Sequence, residues 1–390
     1  MANVIEEAAK NKRGVNCINY YGDRAACGWY RMSFPAMTLE TLLGSNVIFR
    51  FMETQAPILD RNYYAANEGV RIVRVQRWHD KFHAHIMKNF LRPLADALGM
   101  WLIYEIDDVL TYEDIPDYNV AKPYFSPERI GNSVQEIFDC CDIITVTTEE
   151  LKNLYVTKLH QDPKKFFVIP NYLPRWWIGE SYNLDHQLKQ WEANRKHPHL
   201  GFACSTNHFD VNNANKGEDD FTKLIPWVKK NLDKYKFQFV GGVPQQLMEE
   251  AKQGKIAVQQ PSDIINYPRE MKLRGFDLLI APLIDSVFNR SKSNIKWLEF
   301  AALGIPMIGQ NISTYNKYTD QLFDTTDDID EWVDKLFFRK DSRDFYANII
   351  QKNRKIVEGS GPNTGYWLER NIQAYFDLYS MPQNMVKFQF

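Results

Sequence analysis

Two successive rounds of strand-like and helix-like segments limit the folds open to this chain more than any other feature. Short apolar runs alternate with longer helical stretches, which is typical of parallel α/β structure. The first round contains the runs Val15–Tyr20, Val47–Phe51, Val70–Val75, Trp101–Ile106, Asp142–Val146 and Phe166–Ile169. The second contains His199–Ala203, Lys236–Val240, Ile256–Val258, Phe276–Ala281 and Pro306–Gly309. We therefore predict an α/β protein with two Rossmann-like domains, each built on a parallel sheet.

The break between the two rounds sets the expected domain boundaries. Residues 172–198 mix tryptophan, proline and charged residues without a clean period, and the chain after Ile329 is helical to about Tyr379. We predict an N-terminal domain over 1–180, a linker over 181–198, a second domain over 199–355 and a helical tail over 356–390 that packs back on the first domain. Ligands of open parallel sheets bind beyond the carboxyl ends of the strands, so we expect a cleft between two facing sheets.

Composition excludes several classes of protein. A formal net charge of -2 over 390 residues gives no overall basic field that would attract nucleic acid or a membrane. The five cysteines follow no zinc or redox spacing, so we expect reduced thiols in a cytoplasm. The N-terminus is too charged for a signal peptide, and no apolar run approaches the roughly 20 residues that span a bilayer. We expect a cytoplasmic protein without membrane insertion, and the sequence carries no signal for an oligomeric state.

The stretch from Phe288 to Gly309 carries the clearest local signals in the chain. It reads as a polar loop, one helix, a stop signal and a strand. Ser291 or Ser293 can cap the helix N-terminus, because a hydroxyl oxygen accepts from the free backbone N–H groups of the first turn. Gly304 and then Pro306 end the helix, since glycine takes the left-handed conformation and proline cannot continue.

One face of this predicted helix has the chemistry of a nucleotide site. If the helix begins near Ser291, then Lys292, Lys296 and Glu299 share a face at spacings of i, i+4 and i+7. A helix N-terminus beside two lysines binds phosphate well. A carboxylate two turns into the helix can accept hydrogen bonds from a ribose diol. The stretch therefore predicts a site for a nucleotide diphosphate with its sugar end left free.

The same residues resemble the donor-binding segment of retaining GT-B glycosyltransferases, in the large group (glycosyltransferase group 1, similar to family four) that includes O-antigen and capsule enzymes. Many members carry a first glutamate eight positions before the ribose glutamate, where this chain has Ser291. The loop here, Phe-Asn-x-x-Lys-Ser-x-x-Lys, fits a subgroup better. The resemblance implies donor contacts from Lys292, Ser293, Asn294, Lys296 and Glu299.

A second loop matches the same family in its placement. It follows the His199–Ala203 run, where the family uses backbone N–H groups and hydroxyls to contact the donor phosphates. Ser205, Thr206 and His208 occupy that loop, and we expect Asp210 to hold the loop or His208. These residues are predicted to bind the donor.

A glycine loop follows the first strand and also matches the family. Gly28 lets the backbone approach a phosphate or sugar, and Arg31 can offer a fork of donors to an oxyanion during catalysis. The plainer interpretation is a turn glycine followed by a surface arginine. A lone glycine loop is a weak signal on its own.

Catalytic candidates lie at the carboxyl ends of two other first-domain strands. Asp107 and Asp108 follow Trp101–Ile106, where neighbouring carboxylates can perturb each other's pKa and one can act as a base or orient a hydroxyl. Helix capping by Asp108 is the alternative. A metal-binding reading of the pair is set aside, because the second half is a full nucleotide domain. His79 follows the third strand, and its two readings are an acceptor-side residue and a structural residue at a helix start.

These observations lead to one expected activity and two alternatives. The protein is expected to transfer a sugar from a nucleotide diphosphate sugar, most simply a UDP-sugar, to a hydroxyl acceptor with retention of configuration. No cofactor or metal is expected, because the lysines and the helix N-terminus supply positive charge at the diphosphate. The alternatives are a sugar-nucleotide epimerase or hydrolase, and a non-catalytic sensor of nucleotide sugars.

The acceptor is the least determined part of the expected activity. The compact style of the chain, rich in Tyr, Phe, Asn and Lys, is similar to that of bacteriophage proteins, which favours hydroxymethylated cytosine in double-stranded phage DNA, modified in the host cytoplasm. Candidate phosphate contacts are Arg74 and Arg77, with Arg71 and the segment 10–13 beside them. The near-neutral charge counts against DNA. A cell-surface polysaccharide, glycan or protein acceptor is the alternative.

Overall fold

Two parallel six-stranded sheets form the framework of the protein. The computed structural model describes residues 15–44, 47–53, 57–66, 72–179, 182–211, 217–360 and 364–384. Most strands are short and buried, because apolar side chains on both faces of a parallel sheet need helices above and below them, whereas the edge strands Val47–Glu53 and Ile256–Gln259 are partly exposed. The two-sheet α/β architecture predicted from the sequence is confirmed.

The first sheet has the strand order β2-β1-β3-β4-β5-β6, and every neighbouring pair is parallel. Alternate residues along a strand face two different helical layers: Ile103 packs against one layer and Leu102 against the other. The strands are β1 (Val15–Tyr21), β2 (Val47–Glu53), β3 (Ile72–Gln76), β4 (Trp101–Ile106), β5 (Ile143–Val146) and β6 (Phe166–Val168).

The second sheet has the order β12-β11-β10-β7-β8-β9. Its direction of winding reverses between β7 and β10, and such a reversal opens a crevice at the carboxyl ends of the two strands. The strands are β7 (His199–Cys204), β8 (Lys236–Gly241), β9 (Ile256–Gln259), β10 (Leu278–Ala281), β11 (Met307–Gln310) and β12 (Leu322–Phe323). The two-residue β12 was not predicted.

Helices of the first domain follow the strands closely. Two helical segments of this domain, Trp29–Ser33 and Met87–Leu91, are π-helical turns, which often mark functional positions in helices. The side chain of Thr148 caps the helix after β5 by accepting from the backbone N–H of Leu151 at 3.1 Å. The helices are Ala26–Gly28, Trp29–Ser33 (π), Phe34–Leu43, Arg61–Ala66, Lys81–Ile86, Met87–Leu91 (π), Arg92–Leu98, Pro127–Ile130, Ser133–Cys140 and Glu149–Lys158.

Helices of the second domain begin within the expected linker region. Helix Leu184–Asn194 packs on the second domain, where the indole N–H of Trp191 donates to the carbonyl oxygen of Leu336 at 2.8 Å. The other helices are Arg175–Ile178, Ile225–Lys230, Met248–Lys252, Tyr267–Leu273, Val287–Arg290, Ile295–Leu303, Ser313–Asn316, Thr326–Val333, Asp334–Phe338 (π) and Ser342–Glu358.

The last helix, Leu368–Asn384, returns to the first domain. The ring of Tyr379 lies 5.1 Å from that of Phe49 on β2, and its hydroxyl accepts from Arg74 on β3. One apolar cluster runs from this helix and the first sheet to helix Ile295–Leu303 of the second domain. The chain therefore crosses between the domains twice, before β7 and again after Glu358.

Within the described ranges, every helix is too short or too polar to cross a bilayer.

Candidate functional site

The carboxyl edges of the two sheets meet across a cleft, and hydrogen bonds join its two walls. The hydroxyl of Thr148 donates to the carbonyl oxygen of Ser291 at 2.9 Å. The amide of Asn171 donates to the hydroxyl of Ser293 at 2.8 Å. The segment between β10 and helix Ile295–Leu303 is thus held against the first domain.

The donor segment differs in one respect from the sequence prediction. The helix begins at Ile295 with Asn294 as its N-cap residue, about one turn later than the predicted start near Ser291. A separate short helix, Val287–Arg290, precedes it and is capped by Ser286. Lys292 therefore lies in the connecting loop, so the prediction that it shares a helical face with Lys296 was wrong. The stop signal is confirmed, because Gly304 has a left-handed φ of 74°.

The two lysines stay close to each other despite that shift. The ammonium of Lys292 lies 4.6 Å from the centre of the Phe288 ring. Burial, and secondarily the charge of Lys292, lowers the pKa of Lys296. No carboxylate of the described residues lies within ion-pair distance of either ammonium. The donor segment therefore presents two cations without a salt-bridge partner among the described residues, close to the N-terminus of helix Ile295–Leu303, which favours a polyanion.

The loop after β7 presents hydroxyls to the same space. Ser205 and Thr206 are exposed, and Ser205 accepts from the backbone N–H of Asn207 at 3.4 Å. Glycines of the neighbouring strand allow this loop to pack closely: a Cβ on Gly242 would come 2.7 Å from the Phe209 ring, and one on Gly241 would come 2.2 Å from the carbonyl oxygen of Cys204. These two glycines were not predicted from the sequence.

His208 lies beside this loop and is held by Asp220. Its Nδ1 lies 2.7 Å from the Asp220 carboxylate, which also accepts from the side chain of Asn289 at 2.8 Å and from the hydroxyl of Tyr118 at 3.2 Å. Burial, followed by the charge of Lys292, lowers the pKa of His208 to about 3. A neutral imidazole that donates from Nδ1 keeps Nε2 as a hydrogen-bond acceptor.

Of the two roles expected for Asp210, the one of holding His208 was wrong, because Asp220 takes that place. Asp210 is buried, and its backbone N–H donates to the side chain of Asp219 at 3.0 Å. Asp220, which the sequence analysis did not consider, is the partner of His208. His208 therefore contributes a hydrogen-bond acceptor in place of the positive charge that a protonated histidine would bring.

Glu299 is the most enclosed charged group of the donor site. Its side chain is 8% exposed, and it accepts from the hydroxyls of Tyr30 and Tyr267. Burial raises the pKa of Glu299 to about 7, although both hydroxyls favour the ionised form. Tyr30 belongs to the first domain, so this carboxylate also joins the two walls of the cleft.

A cavity of about 210 Å³ lies between the donor segment and the first sheet. Residues from both domains line it: Gly22, Asp23, Arg77, His79, Asp108, Val109, Leu110, Ile115, Asn119, Ala121, Phe125, Asn207 and Phe288. The His79 ring lies 4.9 Å from that of Phe125, and its Nδ1 donates to the carbonyl oxygen of Arg77 at 2.7 Å. Its Nε2 therefore remains free to accept a hydrogen bond.

Asp107 and Asp108, predicted together as catalytic, have different environments. Although burial favours its neutral form, Arg77 holds the pKa of Asp107 below its ordinary value, with Nε donating to Oδ1 at 2.6 Å. Burial raises the pKa of Asp108 against the pull of Arg77 and Lys292. Asp108 lines the cavity and accepts from the adjacent backbone N–H of Val109, so it caps no helix. Asp108 is the better candidate for a base, and Asp107 positions Arg77.

Arg31, predicted as catalytic, is fully buried in the first domain. Its guanidinium donates to Glu105 at 2.6 Å and to the carbonyl oxygen of Ile169 at 2.6 Å. Gly28 is also buried, and a Cβ there would come 2.1 Å from the carbonyl oxygen of Asp23. Arg31 therefore stabilises the domain and Gly28 permits close packing, so the roles predicted for them in catalysis and donor binding were wrong.

The predicted DNA-facing arginines are also placed differently. Arg74 is fully buried and pairs with the second oxygen of Glu105. Arg77 lies in the cleft in ion pairs with Asp23 and Asp107, at a backbone φ of 55°. Neither forms a basic outer edge, because their charges are compensated inside the domain. Arg71 and the segment 10–13 lie outside the described residues.

Two sheets of parallel strands that face each other across such a cleft define the GT-B architecture, and comparison with solved structures shows the same fold. A glycosyltransferase from Rickettsia africae ESF-5 matches with a TM-score of 0.60 at 12% identity, over 96% of this chain and 100% of that one. Anabaena Alr3699/HepE in complex with UDP and glucose matches with a TM-score of 0.61 at 10% identity, over 94% and 100%. No protein-family profile and no curated protein sequence matches the chain.

The buried ion triad of Arg31, Glu105 and Arg74 gives a stability prediction. Glu105→Gln should lower the free energy of unfolding by about 3–5 kcal/mol, because two buried guanidinium groups lose their shared counter-charge. Urea denaturation of the purified variant measures the loss. Glu136→Gln, on the exposed face of helix Ser133–Cys140, is the matched control and should change stability little. A loss below about 1 kcal/mol for Glu105→Gln would contradict the prediction.

Proposed function

We propose that this protein is a glycosyltransferase that moves a sugar from a UDP-sugar to a hydroxyl of a saccharide acceptor. The observation that carries the proposal is the meeting, in one cleft, of two lysines that lack a salt-bridge partner among the described residues with a separate cavity lined by His79 and Asp108. A polyanion site beside a small polar cavity suits two substrates that react with each other. The similarity to Anabaena HepE, solved with UDP and with UDP-glucose, supports the choice of nucleotide.

The donor is placed by the residues of the second domain. The diphosphate lies against Lys292 and Lys296 and accepts from the exposed hydroxyls of Ser205 and Thr206. Glu299 accepts from the ribose diol further along helix Ile295–Leu303. The neutral Nε2 of His208 accepts from a hydroxyl of the donor sugar, since it cannot donate to a phosphate.

Transfer breaks the bond between the anomeric carbon and the diphosphate oxygen and forms a bond from that carbon to the acceptor oxygen. Negative charge grows on the departing diphosphate, and Lys292 and Lys296 stabilise it in a partly desolvated site. With retention, which the sequence resemblance favours, the acceptor attacks the face that the diphosphate leaves, and the acceptor proton passes to a diphosphate oxygen. His79 and Asp108 then orient the acceptor by accepting from its hydroxyls.

The described residues favour a saccharide over duplex DNA as the acceptor. Arg74 is enclosed and Arg77 is ion-paired, so the phosphate contacts that a duplex requires are missing from that segment. A cavity of about 210 Å³ with the aromatic rings of Phe125 and Phe288 in its lining suits one sugar ring.

The proposed function is tested by incubating the protein with a panel of nucleotide diphosphate sugars and acceptors, with mass spectrometry as the readout. The acceptors are simple glycosides and a duplex that contains hydroxymethylcytosine. Transfer to a glycoside, with the anomeric configuration read by NMR, supports the proposal. Transfer to the duplex overturns the saccharide assignment, and donor hydrolysis or epimerisation that needs no acceptor overturns the transferase assignment.

The ribose contact gives a binding prediction. Glu299→Gln should weaken UDP binding roughly tenfold or more, because a charge-assisted hydrogen bond contributes about 1.5–3 kcal/mol. Isothermal titration calorimetry at pH 8.5, above the pKa of about 7 of Glu299, measures it. Glu249→Gln, at an exposed position of helix Met248–Lys252, is the matched control. Unchanged UDP affinity in a folded Glu299→Gln protein rules out the ribose contact.

The charges at the diphosphate give a prediction about metals. Turnover should persist in excess EDTA, because Lys292 and Lys296 already supply positive charge where the leaving group departs. Lys292→Gln should instead lower kcat by about 10²–10³, the usual cost of removing one transition-state donor. Loss of turnover in EDTA with recovery in Mg²⁺ or Mn²⁺ would count against this prediction and return attention to Asp108.

A further inference from the structure

Two tyrosine hydroxyls occupy the two oxygens of Glu299. Tyr30 donates to Oε1, and Tyr267 donates to Oε2 at 3.0 Å. The two tyrosines come from opposite walls of the cleft, since Tyr30 lies in the π-helical turn Trp29–Ser33 and Tyr267 begins the helix Tyr267–Leu273 of the second domain.

Two hydroxyl groups that donate to the two oxygens of one carboxylate form the same hydrogen-bond pattern as a ribose cis-diol bound to a carboxylate. Each hydroxyl of the diol donates one hydrogen bond, and the planar carboxylate accepts both. We propose that Tyr30 stands in for one ribose hydroxyl in the nucleotide-free protein, and that nucleotide binding displaces it from Glu299. This inference rests on the proposed function, because it requires Glu299 to be the ribose contact.

Tyr30 is the partner that must leave. Tyr267 belongs to the same domain as Glu299, and its helix Tyr267–Leu273 contacts helix Ile295–Leu303, so it moves together with the carboxylate. Tyr30 packs edge-on against Phe34 and Trp177 and is 4% exposed, so no solvent separates its hydroxyl from the carboxylate. A ribose hydroxyl that reaches the same oxygen therefore meets Tyr30 first.

Tyr30 has little freedom to withdraw by itself. The next residue, Arg31, is fixed by Glu105 and by the carbonyl oxygen of Ile169, both buried in the first domain. The π-helical turn that carries Tyr30 is consequently tied to the first sheet. Release of Glu299 then requires the first domain to move away from the second, which couples donor entry to opening of the cleft.

Opening of the cleft breaks other contacts as well, and they provide a control. Tyr118, also in the first domain, donates to Asp220 of the second domain at 3.2 Å. Tyr118→Phe loosens the cleft without touching Glu299. Tyr30→Phe keeps the ring and its packing but removes the donor to Glu299. The two variants therefore separate the effect of a looser cleft from the effect of removing the hydroxyl that donates to Glu299.

The test is UDP affinity, measured by isothermal titration calorimetry at pH 8.5, for the wild type and for four variants. The pH lies above the pKa of about 7 of Glu299, so the loss of one hydrogen bond does not leave the carboxyl protonated. Tyr30→Phe should bind UDP at least threefold more tightly than the wild type, because the ribose no longer competes with the tyrosine. Tyr118→Phe should stay within twofold. Tyr30→Phe combined with Glu299→Gln should show no gain over Glu299→Gln alone.

Several results would overturn the inference. Unchanged or weaker UDP binding by a folded Tyr30→Phe protein means that Tyr30 does not compete with the ribose, and thermal unfolding confirms that the variant is folded. An equal gain in Tyr118→Phe assigns the effect to loosening of the cleft. A gain that persists without Glu299 places the effect elsewhere. If the wild type binds neither UDP nor any other nucleoside diphosphate, the proposed function fails and this inference falls with it.

Discussion

One buried carboxylate holds the first domain together. Glu105, at the end of β4, binds Arg31 through one oxygen and Arg74 through the other, and it also accepts from Thr145 on β5. These partners belong to β3, β5 and the helical passage after β1. Because isolated charges are expensive to bury, each guanidinium is stable in the core only while its shared counter-charge is in place.

The donor side of the cleft has the opposite arrangement, since its two lysines lack a salt-bridge partner among the described residues. In the first domain every arginine near the site has a carboxylate partner, whereas Lys292 and Lys296 face each other without one among the described residues. Burial and like charge destabilise that arrangement in the free protein, and a bound polyanion relieves it. The same contrast appears at the carboxylates: Asp107 is paired and keeps a low pKa, while Glu299 has hydroxyl partners and a pKa of about 7.

Sequence patterns predicted the framework because parallel strands leave local evidence. All six first-domain strand predictions agree with the described strands to within about two residues, whereas β12 was missed because two residues form no pattern. Site residues with local signals, such as Lys296 at a helix start, could be named in advance. Partners that are distant in sequence could not be named in advance. No residue near Arg31 indicates its partner Glu105. Asp210 is closer in sequence to His208 than Asp220 is, although Asp220 is the residue that contacts His208. The contact of Tyr30 with Glu299 could have been suspected only from the position of Tyr30 next to Arg31, a residue that had been predicted to lie in the site.

The last described helix has a consequence for how the protein is made. The ring of Tyr379 on helix Leu368–Asn384 packs against Phe49 on β2, and its hydroxyl accepts a hydrogen bond from the buried Arg74. A ribosome synthesises this helix after both sheets, so the first domain emerges with Arg74 paired to Glu105 but still lacking the tyrosine hydroxyl as its second hydrogen-bond acceptor. The first domain, although it is made first, can complete its core only when nearly all of the described chain has been translated.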